Sequence, residues 1–243
     1  MDSIIIVFIA GLWIGLSKGG VGGPVAGPVL LPLLSQTMPV SKAVGLILPL
    51  LMIGDIFALR FYWREWEMHY IRLMLPLAVV GVFMGTFVLT ALSDDALRRI
   101  LGVITLLIVL YRLLNERLKQ LAYSPRLWHG HLAGWISGFA SALANAGGPP
   151  TTAYLLLQRT LSPTAFVGTI TLFFFIINLL KFPIFIQQNI IDVNALLGIA
   201  WIFPVIPLGV WFGRRIIGRI NRDLFEGLMI VLLVVASVLL LVR

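Results

Sequence analysis

The chain has 243 residues, of which 60% are hydrophobic and only 12% charged, and its formal net charge is +8 at pH 7. A soluble domain carries roughly 25% charged residues, so this composition indicates an integral membrane protein. The absence of cysteine excludes disulfides, thiolate metal sites and cysteine nucleophiles. Most of the basic residues fall in short loops between apolar runs. We therefore read them as setting the orientation of the chain in the membrane and not as a nucleic-acid binding surface.

Long apolar runs, without the alternation of a β-barrel strand, predict transmembrane helices. The first repeat, 1–114, is predicted to contain half-helices at 4–16 and 25–37 and full spans at 43–62, 71–91 and 97–113. A basic connector at 115–127 follows and is predicted to be cytoplasmic. The second repeat, 128–243, is predicted to contain helices at 128–143 and 150–158 and spans at 163–182, 194–213 and 223–242.

Matching residues in the two halves indicate an internal duplication. Gly23-Pro24 matches Gly148-Pro149 at an offset of 125 positions, and Asp55 matches Asn178 at an offset of 123. At an offset of 128, Pro76, Gly81 and Gly85 match Pro204, Gly209 and Gly213. We interpret these prolines and glycines as kinks and close helix contacts.

The distribution of basic residues predicts the orientation of the halves. If each broken segment is a hairpin that returns to its own side, twelve basic residues lie on one side and five on the other. The positive-inside rule then places both termini outside the cytoplasm. Each half has three crossings plus a hairpin, so the halves have opposite orientation. The predicted fold is an all-α polytopic membrane protein of two inverted-topology repeats, each a Gly/Pro-broken helical hairpin plus three transmembrane helices.

Two Gly/Pro-rich breaks, at 17–24 and 144–150, stand at equivalent points of the halves. Paired breaks of this kind indicate the substrate site of a transporter built from repeats. In the first break, Lys18 stands beside glycines that let backbone amides turn toward a ligand, which favours an anion. The second break offers the neutral amide of Asn145 and, directly after it, the hydroxyls of Thr151 and Thr152. The predicted substrate-binding residues are Ser17, Lys18, Gly19, Gly20, Gly22, Gly23, Asn145, Gly147, Gly148, Thr151 and Thr152.

Asp55 and its counterpart Asn178 lie inside predicted spans, where a carboxylate is a candidate proton- or cation-coupling group. The alternatives are structural: Lys18 pairs with Asp55 or snorkels to an interface, and Asp55 serves only as a partner for Lys18 or Lys181. We expect Lys181 to snorkel to the outer interface; the alternative is that it attracts anions at the mouth of the cavity. The second break has a structural alternative too, since it could serve helix packing alone.

Other features favour structural interpretations. Tyr62, Trp63, Trp66 and Tyr70 surround a span end, as in an interfacial aromatic belt. His129 and His131 have no carboxylate or thiolate nearby in the sequence, so we predict an interfacial loop and no metal. No nucleophile–base or nucleotide-binding motif is present, so we predict neither an enzyme nor a cofactor.

Two segments resemble the TauE/SafE-type sulfite exporter family. They are the first break, followed by Pro28-Val29-Leu30-Leu31-Pro32-Leu33-Leu34, and the weaker repeat at Ala146-Gly147-Gly148-Pro149-Pro150. The resemblance covers nearly the whole chain, although Lys18 before the glycine cluster departs from the commonest form of the family.

The resemblance implies a secondary transporter of small sulfur-containing anions such as sulfite, a sulfonate or sulfoacetate, with alternating access around the two breaks. The expected partners are a small anionic substrate, the lipid bilayer and protons as a candidate coupling ion. The alternatives are a passive anion channel and a non-transporting membrane subunit that assembles a partner. The oligomeric state, a homodimer included, stays open.

Overall fold

The computed structural model describes residues 2–19, 30–32, 34–35, 37–118, 126–158 and 161–216. These ranges form α-helices, a short 3-10 helix and turns, without a strand. The helices are α1 Asp2–Lys18, α2 Val40–Phe61, α3 Met68–Ala91, α4 Asp94–Leu118, α5 Leu127–Ala144, α6 Gly148–Leu156, α7 Pro163–Gln187, α8 Val193–Gly198 and α9 Val205–Ile216.

Most of the predicted helices that fall on described residues are confirmed within a few residues. Val40–Phe61, Met68–Ala91 and Thr164–Gln187 are long and apolar enough to cross a membrane. The start of α7 follows from its sequence: the Ser162 hydroxyl accepts a hydrogen bond from Ala165 N at 3.2 Å, and Pro163 occupies the first turn. The predicted span at 223–242 and the connector from 119 onward, apart from Arg126 and Leu127, lie outside the described residues.

The predicted continuous span at 194–213 is wrong. The segment is divided into the short helix α8, a 3-10 helix at Ala200–Ile202, a turn at 203–204 and α9. Proline lacks the backbone N–H of a helix and its ring clashes with the preceding turn, and Pro204 stands where the turn joins α9. The match with Pro76 suggested a kinked span, but Pro76 lies inside an unbroken α3.

Three pairs of helices organise the described part of the fold. Helix α2 packs against α7, α3 packs against α5, and α1 packs against α9. In the predicted duplication, α1 corresponds to α5, α2 to α7, and α3 to α9. Each pair therefore joins one helix from each half. The α3–α5 pair corresponds to the α1–α9 pair, and we call these two the exchanged pairs, whereas α2 packs against its own counterpart, α7. This pattern is expected when two duplicated halves pack against each other, whereas their inverted orientation in a membrane stays a prediction.

The predicted close contacts of the repeated glycines are confirmed. A Cβ built at Gly81 would lie 2.2 Å from Trp135 O, and one built at Gly138 would lie 2.0 Å from Ala78 O. In the other exchanged pair, a Cβ at Gly213 would lie 2.6 Å from Leu16 O. Because glycine has no side chain, the backbones of these helices approach closely, as small residues allow in membrane helix pairs.

The outer surface is apolar and the interior holds polar groups. Phe87 on α3 is 72% exposed and Leu107 on α4 is 58% exposed, whereas Asp55 and Lys181 are both fully buried. A water-soluble protein has the opposite distribution, since charged side chains are almost never fully buried. The surface therefore fits lipid hydrocarbon, and the three membrane-crossing candidates agree with it.

We expect Gly138→Ala to destabilise the protein, because its Cβ would overlap the carbonyl oxygen of Ala78. Overpacking of this kind costs typically about 1–3 kcal/mol. Gly198→Ala is the matched control, since a Cβ there meets nothing within 4 Å. The measurement is the melting midpoint of detergent-purified protein, followed by size-exclusion elution after heating. Equal midpoints for the two variants would contradict the close contact between α3 and α5.

Candidate charged site between the two halves

The second break forms a sharp corner between α5 and α6. Helix α5 ends at Asn145, whose φ of 50° and ψ of 30° are left-handed, and α6 begins at Gly148. Gly147 fills a space that admits no side chain, because a Cβ there would lie 2.3 Å from Ser137 O. Asparagine tolerates the left-handed region better than most residues, so the sequence Asn145-Ala146-Gly147 suits this corner.

The end of α1 meets α2 and α7 at an ion pair. Lys18 Nζ donates a hydrogen bond to Asp55 Oδ1, and Asn178 Nδ2 donates to Asp55 Oδ2 at 3.0 Å. Both carboxylate oxygens of Asp55 therefore have a partner, as a buried carboxylate requires. The Lys18 side chain keeps 14% exposure while that of Asp55 has none. Lys18 thus pairs with Asp55, as in the structural alternative to its predicted anion-binding role, and Asn178 joins the pair from α7.

Lys181 does not snorkel to an interface, so that expectation is wrong. Its residue exposure is 0%, and its Nζ donates to Ser141 O at 2.9 Å, Ser141 Oγ at 3.1 Å and Asn145 Oδ1 at 2.8 Å. The side chain turns inward because the end of α5 offers carbonyl and side-chain oxygens there. A cation at a helix C-terminus also interacts favourably with the helix dipole.

Asn145 joins this second lysine to the first half of the chain. Its Oδ1 accepts the hydrogen bond from Lys181, and its Nδ2 donates to Val44 O on α2 at 3.1 Å. On α7, Asn178 and Lys181 are three residues apart and therefore lie on neighbouring positions of one helix face. Asp55 interacts electrostatically with both lysines. The two hydrogen-bonded groups thus form one polar region, which we call the charged site: Lys18, Asp55, Asn178, Lys181, Asn145 and Ser141.

The other predicted binding residues have different positions. Ser17 is buried near the end of α1. The amide of Gly19 donates to Gly15 O at 2.8 Å, so it continues the helix and does not turn toward a ligand as predicted. Gly20, Gly22 and Gly23 lie outside the described residues.

On α6, the short helix after the second break, the hydroxyls of Thr151 and Thr152 differ in their hydrogen bonding. The Thr151 hydroxyl shares a 2.7 Å hydrogen bond with Ser137 and ties α6 to α5. The Thr152 Oγ1 is buried and has no hydrogen-bond partner within the described part of the chain. Gly148 begins α6, directly after the corner. The structure therefore brings Lys18, Asp55, Asn178 and Asn145 together and assigns Thr151 to packing.

Two members of the charged site were missed from the sequence. Lys181 stands one helical turn from Asn178, which places both on one face of α7. Ser141 stands 123 positions after Lys18, the offset that also relates Asp55 to Asn178. The offset alone therefore contained a signal for Ser141 as the counterpart of Lys18.

An apolar outer surface, membrane-length helices and a buried charged site together define an α-helical membrane protein. Charged groups inside such proteins line substrate and ion pathways. The family described as Sulfite exporter TauE/SafE matches residues 4–240, nearly the whole chain, so the chain belongs to this family of transporters. Comparisons with curated proteins and with solved structures found no match.

Proposed function

We propose that this protein is a secondary transporter of a small sulfur-containing anion, of the sulfite, sulfonate or sulfoacetate type, across the bacterial inner membrane. Membership of the TauE/SafE family supports export of sulfite or a related anion. The observation that carries the proposal is the charged site, which holds two lysines and one carboxylate where α1, α2, α5 and α7 meet. Two cations in an otherwise apolar interior favour an anionic ligand.

The pairing of Lys18 with Asp55 gives a means of coupling anion binding to a proton. A proton that enters Asp55 removes the negative charge that Lys18 faces, so Lys18 is then free to bind an anion oxygen. When the anion leaves, Asp55 releases the proton and pairs with Lys18 again. A charge-assisted hydrogen bond is about twice as strong as a neutral one, so each of these two states has a favourable partner for the lysine.

The exchanged helix pairs supply a route to alternating access. The charged site lies where α2 and α7, the equivalent helices of the two halves, come together. Movement of the α1–α9 pair relative to the α3–α5 pair would open the site to alternate sides. The glycine contacts within each pair favour motion of the pair as a unit, because the two backbones interlock.

We expect Asp55→Asn to retain anion binding and to lose the dependence of flux on a pH gradient. The amide keeps the size of the carboxyl group and still accepts a hydrogen bond from Lys18, but it does not bind a proton. Reconstituted proteoliposomes loaded with labelled sulfite measure this, with and without a pH gradient. The matched control is Asp94→Asn at the start of α4, where the carboxylate binds Val40 N and Arg98 Nε.

Three outcomes of this experiment separate the alternatives. Gradient-driven flux that persists in Asp55→Asn would remove Asp55 from coupling. Flux of the parent protein that never saturates and ignores the gradient would indicate a passive anion channel. A parent protein that carries no sulfite and no sulfonate would favour a membrane assembly subunit and overturn the proposed transport.

We also propose that the termini are periplasmic. Groups predicted to share a side lie at the same end of the molecule: Arg214 stacks over Phe61, with 4.6 Å from Cζ to the ring centroid, and Lys42 Nζ donates to Asn189 O at the other end. Thiol labelling is unambiguous because the chain has no native cysteine.

We expect an impermeant thiol reagent to label Gln188→Cys in intact cells and to label Glu65→Cys only after the membrane is opened. Both side chains are exposed, so accessibility to water at each site depends on the side of the membrane alone. Labelling of Glu65→Cys but not of Gln188→Cys in intact cells would reverse the orientation.

A further inference from the structure

Lys181 is an ammonium group buried among neutral partners. An ammonium has three N–H donors, and those of Lys181 are all used, by two oxygens of Ser141 and the side-chain oxygen of Asn145. Within the described residues, no carboxylate lies within ion-pair distance of it. Its hydrogen bonds are therefore satisfied while its charge is not balanced by a direct partner.

The charged site as a whole carries one excess positive charge. Lys18 and Asp55 cancel each other as an ion pair, and Lys181 remains. Among the charged groups on the helices packed against α2, Arg214 of α9 stacks on Phe61 and Tyr62, and Asp94 of α4 binds Val40 N and Arg98. In described α5, the ionisable side chains are His129 and His131, which stand in its first two turns, whereas Ser141 lies in the last.

An excess charge in a membrane interior is unfavourable. Even after relaxation, a buried ion without a counter-charge is costly, and so is a lysine at the centre of a membrane helix. The hydrogen bonds that Lys181 donates to Ser141 and Asn145 lower this cost but do not cancel the charge. A ligand with one negative charge would cancel it.

We propose that Lys181 is the second cation of the substrate site, and that the site accepts one net negative charge. A singly charged sulfonate satisfies this condition by itself. A doubly charged oxyanion satisfies it only together with one proton on Asp55. This inference deepens the proposed transport function and rests on it, because it assigns the charge class of the substrate.

Anion binding at Lys181 requires the Asn145 side chain to move, because its Oδ1 occupies the third donor of the ammonium. An anion oxygen that replaces Asn145 Oδ1 exchanges a neutral acceptor for a charged one, and charge-assisted bonds are the stronger class. The same amide donates to Val44 O on α2, so this movement couples the site to α2. Ser141 O and the α5 C-terminus keep the ammonium in place. The left-handed corner at Asn145 thus lines the anion site together with Lys181.

Charge balance fixes how binding depends on pH. When the site holds one excess positive charge, a permanent monoanion binds without proton uptake, and a dianion binds with uptake of one. When Lys181 is neutralised, the site has no excess charge, and even a monoanion needs a proton on Asp55. Uptake of one proton tightens binding about tenfold for each unit by which the pH falls.

Calorimetry on detergent-purified full-length protein, across about two pH units below neutrality, tests this with methanesulfonate and sulfate. Methanesulfonate stays singly charged and sulfate doubly charged throughout. We expect the parent protein to bind methanesulfonate with a constant Kd and sulfate about tenfold more tightly per unit fall in pH. In Lys181→Gln, methanesulfonate should acquire the tenfold dependence.

A second substitution that restores the net charge of the site separates the effect of charge balance from a structural role of Lys181. Lys181→Gln combined with Asp55→Asn removes one positive and one negative group and restores one excess positive charge, so methanesulfonate binding should again be independent of pH. Lys42→Gln is the control, because Lys42 bonds to Asn189 O outside the charged site. It should leave both pH profiles unchanged.

The outcomes distinguish this inference from the proposed function. A parent protein that binds neither anion overturns the transport function on which the inference rests. A parent protein that binds methanesulfonate, with an unchanged pH profile in folded Lys181→Gln, overturns the role of Lys181 alone. If Lys181→Gln elutes as an aggregate, the parent profiles still decide: equal pH dependence for methanesulfonate and sulfate contradicts the charge balance.

Discussion

The burial of two lysines and one aspartate inside an apolar bundle is the constraint on which the rest of this structure depends. Charged groups in such an interior need partners for every polar atom. Asp55 obtains them from Lys18 and Asn178, and Lys181 obtains them from the end of α5. Since these residues belong to α1, α2, α5 and α7, their hydrogen bonds fix how the helices of the two halves are placed against each other.

The helix contacts around the charged site follow from the small residues of the sequence. Glycines on α3 and α5, and on α1 and α9, let backbones approach so closely that no side chain would fit. These contacts hold each exchanged pair together mainly through backbone packing. Polar groups are therefore concentrated between α2 and α7, where a ligand of opposite charge can influence both halves at once. Tight pairs with a polar centre suit a protein that rearranges by moving the pairs against each other.

Patterns that depend on helix geometry could be predicted from the sequence. The second break, the three long apolar helices and the proximity of Asp55 to Asn178 all follow from spacing and composition. The pairing of Lys18 with Asp55 was predicted as one of two alternatives, because an intramembrane cation requires a counter-charge or water. The glycine contacts were predicted from their repetition at one offset.

What could not be predicted depends on which way a side chain turns and on local backbone breaks. Lys181 is long enough to reach either an interface or the end of α5, and only the folded position of Ser141 and Asn145 decides between them. The Gly19 amide bonds to Gly15 O because α1 extends to Lys18, two residues beyond its predicted end at 16, and packs on α9. Pro76 and Pro204 stand at the same spacing from the glycines that follow them, yet the helix continues through one and breaks at the other.

The most direct test of the central claim is an experimental structure with selenite, the selenium analogue of sulfite, located by the anomalous scattering of selenium. The account predicts a selenium peak beside the charged site, with an anion oxygen within about 2.7–3.2 Å of the Nζ atom of Lys18 or Lys181. A selenium peak elsewhere in the protein, with the Lys18–Asp55 pair and the contacts of Lys181 unchanged, would contradict it.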